Sequence, residues 1–111
     1  MGNGKDLKYS LLLDYYSAML TDKQADAMDL YYNEDLSLSE IAEDLEISRQ
    51  GVRDLIKRGE QITDELEEKL CLMAKAEKIN ELCDVLEQMH LSPQVENDKK
   101  DGIIKQIRDL I

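Results

Sequence analysis

Thr21, Ser37 and Ser48 each stand where a helix has to begin, and their close spacing limits this chain more than any other feature. Thr21-Asp22-Lys23-Gln24 and Ser37-Leu38-Ser39-Glu40 both have the capping-box form. In that form the hydroxyl accepts from a backbone N–H three residues on, and Gln or Glu at that position accepts from the cap's own N–H. Ser48 opens a further helix that begins Arg49-Gln50-Gly51-Val52. A polar break at Asn33, Glu34 and Asp35 and a tight turn at Glu46 and Ile47 separate the starts. Helices confined in this way must be short and cross one another, which predicts elements near 22–32, 38–45 and from 49 onward.

The flanks read as helical too. After a disordered tip at Gly2, Asn3 and Gly4, Lys5 to Leu20 repeats Leu7, Leu11, Leu12, Tyr15, Tyr16 and Met19 at three- and four-residue steps. From Gln61 to Met89 there is neither Pro nor Gly. Ile62, Leu66, Leu70 and Met73 form one apolar stripe there, and Leu72, Ile79, Leu82, Leu86 and Met89 drift onto another, as in one long helix or two nearly collinear ones. A turn around Leu91, Ser92 and Pro93 should end it, because Pro cannot continue a helix interior. A polar link from Asn97 to Gly102 then leads to a last short helix carrying Ile103, Ile104, Ile107, Leu110 and Ile111. The expected fold class is all-α, with a helix-turn-helix domain over 1–60 and a helical extension over 61–111. The long helix of that extension should reach about 91, and the final one should span about 98–111.

Charge narrows the function. The formal net charge is −11, which repels nucleic acid and anionic membrane at long range, so any nucleic-acid contact needs a local basic surface. Ser48 to Glu60 supplies one: Arg49, Arg53, Lys57 and Arg58 against Asp54 and Glu60 give +2, leaving −13 for the remainder. No apolar run approaches membrane-spanning length and none resembles a signal peptide, so a cytoplasmic protein without a membrane partner is expected.

Leu38 to Leu55 has the spacing of a DNA-binding helix-turn-helix. Ile41, Leu45, Ile47, Val52 and Leu55 fall where the two helices pack, and Ala42 falls at their crossing. The second helix then offers Ser48, Arg49, Gln50, Arg53, Lys57 and Arg58 outward as nucleic-acid-binding candidates. Arg and Gln pair bidentately with guanine and adenine edges in a major groove, whereas Ser48 and Lys57 suit phosphates, which position without specifying. The same geometry also serves as a protein-docking surface, and that alternative stays open.

Other chemistry is set aside. His90 is the only histidine and lies where a cation complements a helix C-terminus. Asp64-Glu65 and Glu67-Glu68 read as a solvated helix face. Cys71 and Cys83, if on one helix, would stand roughly 18 Å apart, too far for a disulfide, and read as buried or half-buried thiols. No catalytic residue, metal site or cofactor is expected.

Taken together, Leu20 to Gln24, Leu30-Tyr31-Tyr32, Leu36 to Ala42, Ile47 to Val52 and Ile56-Lys57-Arg58 resemble the YlxM family, small helix-turn-helix proteins of Gram-positive bacteria. The same block is similar to region 4 of bacterial sigma factors, the part that reads a promoter element, and the likeness covers about residues 7 to 75. The resemblance implies a regulatory nucleic-acid-binding protein of the signal recognition particle and secretion pathway. Its partners would then be DNA or the particle's RNA, with the particle protein Ffh a further possible contact. The alternative is an adaptor that meets the targeting machinery through its acidic surface without binding DNA. A homodimer through the long helix would match the two-fold geometry of many such binders.

Overall fold

The computed structural model describes residues 5–90 and 97–111. Its elements are α1 (Leu7–Tyr16), a 3-10 turn (Ser17–Met19), α2 (Asp22–Tyr32), α3 (Leu38–Leu45), α4 (Arg49–Leu70), α5 (Leu72–His90) and α6 (Asn97–Leu110). Among the described residues there is no strand. The tip at Gly2 to Gly4, the turn at Leu91, Ser92 and Pro93 and the side chain of His90 lie outside the described residues. The chain divides into two compact units, Met1–Cys71 and Leu72–Ile111.

The helix starts form as their residues dictate. Thr21 Oγ1 accepts from the N–H of Gln24 while the Gln24 side chain accepts from the N–H of Thr21. Ser37 and Glu40 repeat the arrangement at 3.1 and 3.0 Å. Ser48 Oγ accepts from the N–H of Gly51 at 2.9 Å. Each cap satisfies donors that a helix start leaves without an internal partner. The first helix is shorter than Lys5 to Leu20: Asp6 caps it, and it gives way to the 3-10 turn after Tyr16.

Within the first unit, Ala27, Ile41, Ala42, Val52 and Ile56 form a buried cluster where α2, α3 and α4 meet. Fully burying a side chain the size of Val52 contributes about 1.5–3 kcal/mol. A second cluster of Leu13, Leu20 and Met28 joins α1 to α2, with Tyr9, Tyr32 and Ile62 packed against it. Glu46, which ends α3, takes the left-handed conformation at φ 57°, the place where helices usually put Gly.

Helix α4 runs through 61–70, past the boundary after Glu60 read from the sequence, and stops at Cys71, whose φ of 56° is also left-handed. The stripe of Ile62, Leu66 and Leu70 belongs to α4, and that of Ile79, Leu82, Leu86 and Met89 to α5. Met73, read from the sequence as the last member of the first stripe, lies instead in α5 with Leu72, beyond the break at Cys71. Cys71 is half-buried and Cys83 exposed, both as free thiols, so the expectation that both are buried or half-buried fails at Cys83.

In the second unit α5 packs against α6, with Leu82 and Ile103 buried. Helix α6 starts at Asn97 and absorbs the stretch expected as a polar link. Asp98, Lys99, Lys100 and Asp101 carry no obstacle to a helix, and Gly102 costs about 1 kcal/mol there, which neighbouring turns can carry.

Candidate nucleic-acid interface

The packing of α4 decides which of its residues reach solvent. Val52, Ile56, Gly59 and Thr63 are buried at steps of four, three and four, which fixes one face of the helix inward. Gln50, Lys57 and Arg58 fall on the far side of the helix from that face and Arg53 on its flank; all four are exposed, as are Arg49 in the first turn and Ser48 at the cap. Arg49, Arg53 and Lys57 stack on successive turns as one stripe, and Gln50, Asp54 and Arg58 form the next.

The polar partners on this face are few. Gln50 Nε2 donates to Asp54 Oδ1 at 2.9 Å, and Arg58 Nη1 donates to Gln61 Oε1 at 3.4 Å. Among the described residues, the ion pairs join Lys5 to Asp35, Lys8 to Asp64 and Lys78 to Glu81, and none involves Arg49, Arg53, Lys57 or Arg58. Ser48 spends an acceptor lone pair on Gly51 but keeps its hydroxyl hydrogen for donation. Gln50 is more committed than the sequence suggested, because Asp54 uses one of its N–H donors.

Charge order along α4 bears on why those cations are there. A helix N-terminus carries partial positive charge and favours acidic neighbours, worth about 0.3–1 kcal/mol each. Helix α4 does the opposite: its first turn holds no acidic residue and begins with Arg49, while Glu65, Glu67 and Glu68 lie near its far end. Of the four cations only Arg49 lies in that first turn, and the dipole gives no reason for it there.

The C-terminal half of α4 does something the sequence reading missed. Tyr32 Oη donates to Glu60, Tyr9 Oη to Asp64 at 2.8 Å and Tyr16 Oη to Glu67 at 2.6 Å. Three tyrosines from α1 and α2 thus grip three carboxylates on successive turns, and Lys8 Nζ adds a 3.2 Å ion pair to Asp64. Asp64 and Glu67 are not part of a merely solvated face; only Glu65 and Glu68 are exposed. Burial, then the bond to Asp64, pushes the Tyr9 hydroxyl up to about 12, and burial with Glu60 raises Tyr32 further. The bond to Asp64 raises Lys8 as well.

Lys5 was not singled out from sequence either. Its Nζ donates to the carbonyls of Tyr31 and Leu36 at 2.8 Å each, lies 3.2 Å from Asp35 Oδ1, and sits 3.9 Å above the Tyr31 ring. It ties down the α2–α3 connection and so fixes how α3 is presented. Helix α3 itself is acidic outward: Glu40, Glu43 and Asp44 are exposed. The backbone N–H of Ser37 holds the Glu40 carboxyl below its ordinary range.

Among the described residues no group of three or more His, Cys, Asp or Glu side chains is placed to hold a metal ion. No described helix is long and apolar enough to cross a membrane.

A capped helix-turn-helix with a cationic second helix in an all-α chain defines the class: a helix-turn-helix protein. A family model described as "Putative helix-turn-helix protein, YlxM / p13 like" matches residues 3–103, and the chain belongs to that family, UPF0122. It is 49% identical to a UPF0122 protein of Halalkalibacterium halodurans over 84 residues, which is 76% of this chain and 77% of that one. It is 40% identical to a UPF0122 protein of Bacillus cereus strain AH187 over 106 residues, 96% of each chain. The family is described by its helix-turn-helix and not by an enzymatic activity.

Proposed function

We propose that this protein is a regulatory nucleic-acid-binding protein that works through the solvent face of α4. The observation that carries the reading is the set of four exposed cations, Arg49, Arg53, Lys57 and Arg58, which form no ion pair among the described residues of a chain at −11. Arg49, in the first turn, also runs against the helix dipole. Arg53 and Gln50 are the residues we assign to base edges, with Ser48, Arg49, Lys57 and Arg58 on phosphates. Likeness to YlxM proteins points to the signal recognition particle and secretion pathway as the setting, with DNA or the particle's RNA as target. It also fits a cytoplasmic location. A homodimer through the long helix fits the exposed Val85.

The test is a gel-shift and anisotropy series with DNA and with the particle RNA at several salt concentrations. Binding through three or four cations gives a slope of log K against log salt of about −3. The double substitution R53A/K57A should abolish binding and leave helicity unchanged. Unchanged binding by that variant would refute the assignment.

A second reading has its own observation. The acidic outer face of α3, with Glu40, Glu43 and Asp44, suits a basic protein such as Ffh better than a phosphate backbone. Loss of Ffh binding on E43Q/D44N, without loss of nucleic-acid binding, would support that adaptor role.

A further inference from the structure

A cleft of about 270 Å³ opens beside the cationic face, between the end of α2, the start of α3 and the middle of α4. Leu38 and Ile56 make its apolar part, Tyr31 and Tyr32 bring aromatic rings, and Arg53, Lys57 and Glu60 supply the charge. The two tyrosine rings meet edge to face at 5.0 Å. One Glu60 oxygen accepts from Tyr32, but a carboxylate offers about four acceptor positions, so most of its capacity remains. Arg53 and Lys57, one turn apart, carry no ion pair among the described residues. The cleft therefore offers an acceptor on one turn of α4, apolar and aromatic surface beside it, and two cations on the preceding turns.

A matching ligand has adjacent N–H donors on one edge of a flat ring and an anion attached to that ring. Guanine carries such a pair, at N1 and N2, and a nucleotide attaches the phosphate. The volume lies just below the usual range for small-molecule pockets, about 300 Å³ and upward, so it suits one nucleotide and not two. In a duplex that guanine edge is occupied by pairing, whereas unpaired bases present it. The geometry points to a site for a single unpaired guanine nucleotide, its base edge on Glu60 and its phosphate on Lys57, with Arg53 kept to the base edges. This rests on the nucleic-acid reading above and deepens it: α4 would hold an unpaired base beside the strand it tracks. Uracil fits poorly, because acceptors flank its one ring N–H and would face the carboxylate.

The experiment titrates the ¹⁵N-labelled full chain with GMP, with UMP, and with short single-stranded RNAs containing one guanine or none. A DNA duplex is titrated in parallel. Expected are shifts centred on Tyr31, Tyr32, Leu38 and Ile56, and GMP binding about tenfold tighter than UMP. Glu60→Gln keeps an acceptor for Tyr32 but removes the charge, and should bring the GMP-to-UMP ratio to about one. If that variant does not fold, the wild-type ratio still decides. Binding of GMP without preference among the RNAs assigns the site to free nucleotide; preference for the guanine-bearing strand assigns it to an unpaired base. Duplex binding with no cleft shift from any guanine ligand overturns this inference and leaves the proposed function standing. Failure of every nucleic acid to bind overturns both.

Discussion

Substituting Gly59 by Ala tests the contact that sets how closely α4 crosses α2. A Cβ at this position would lie 2.3 Å from Met28 Sδ and 3.1 Å from Met28 Cγ. Non-bonded heavy atoms of this kind normally stand about 3.5–4.0 Å apart, so something has to move by more than an ångström. Met28 is fully buried and packed with Leu13 and Leu20, so it cannot swing into solvent. Two effects oppose each other. Ala is favoured over Gly within a helix by about 1 kcal/mol, while overpacking a filled core costs about 1–3 kcal/mol. Overpacking wins, and G59A should destabilise the first unit by about 1 kcal/mol. With Met28→Ala the obstruction is gone and the propensity remains, so G59A should then stabilise by about 1 kcal/mol relative to M28A alone. The coupling between the two sites would thus be about 2 kcal/mol, within the range for contacting residues. Urea unfolding followed by tyrosine fluorescence is the assay, because all five tyrosines lie in the first unit and the chain has no Trp. Equal stabilisation by G59A in both backgrounds would refute the close crossing.

Glu46→Gly should stabilise by up to about 1 kcal/mol, since a left-handed φ of 57° strains a residue with a Cβ and not Gly. It also removes a negative charge close to Ser48, so anisotropy at low salt should show tighter nucleic-acid binding. Lys5→Met should cost about 2 kcal/mol by denaturant unfolding, because the carbonyls of Tyr31 and Leu36 lose a charged donor. Alkaline pH should weaken the first unit. Tyr9 and Tyr32 hold their protons more tightly folded than unfolded, so the stability they add is fully present below about pH 10. It falls as pH rises toward 12 and beyond; phenolate absorbance should rise together with the loss of helical circular dichroism.

The helix starts were legible because they are local. Thr21, Ser37 and Ser48 each bond to a backbone N–H three residues away, and a bond that short is written into adjacent letters. The outward placement of Gln50, Lys57 and Arg58 was legible for a related reason: once Val52 and Ile56 are buried, a period of 3.6 carries these three to the far side, whereas Arg49 and Arg53 fall nearer the buried face and only the folded chain shows them exposed. The breadth of the all-α class followed from the same periodicities.

Tertiary structure alone decided the rest. Tyr9 meets Asp64 across 55 residues, Tyr16 meets Glu67 across 51 and Tyr32 meets Glu60 across 28. No period or spacing announces such pairs, so Asp64 and Glu67 looked like solvated surface until α1 was laid against α4. The helix break at Cys71 is equally silent, because nothing in the propensity of Cys favours the left-handed conformation found there. Local hydrogen bonds and helical phase act within a few residues and can be read from the letters; a hydroxyl and a carboxylate that meet only after the chain has folded back on itself cannot.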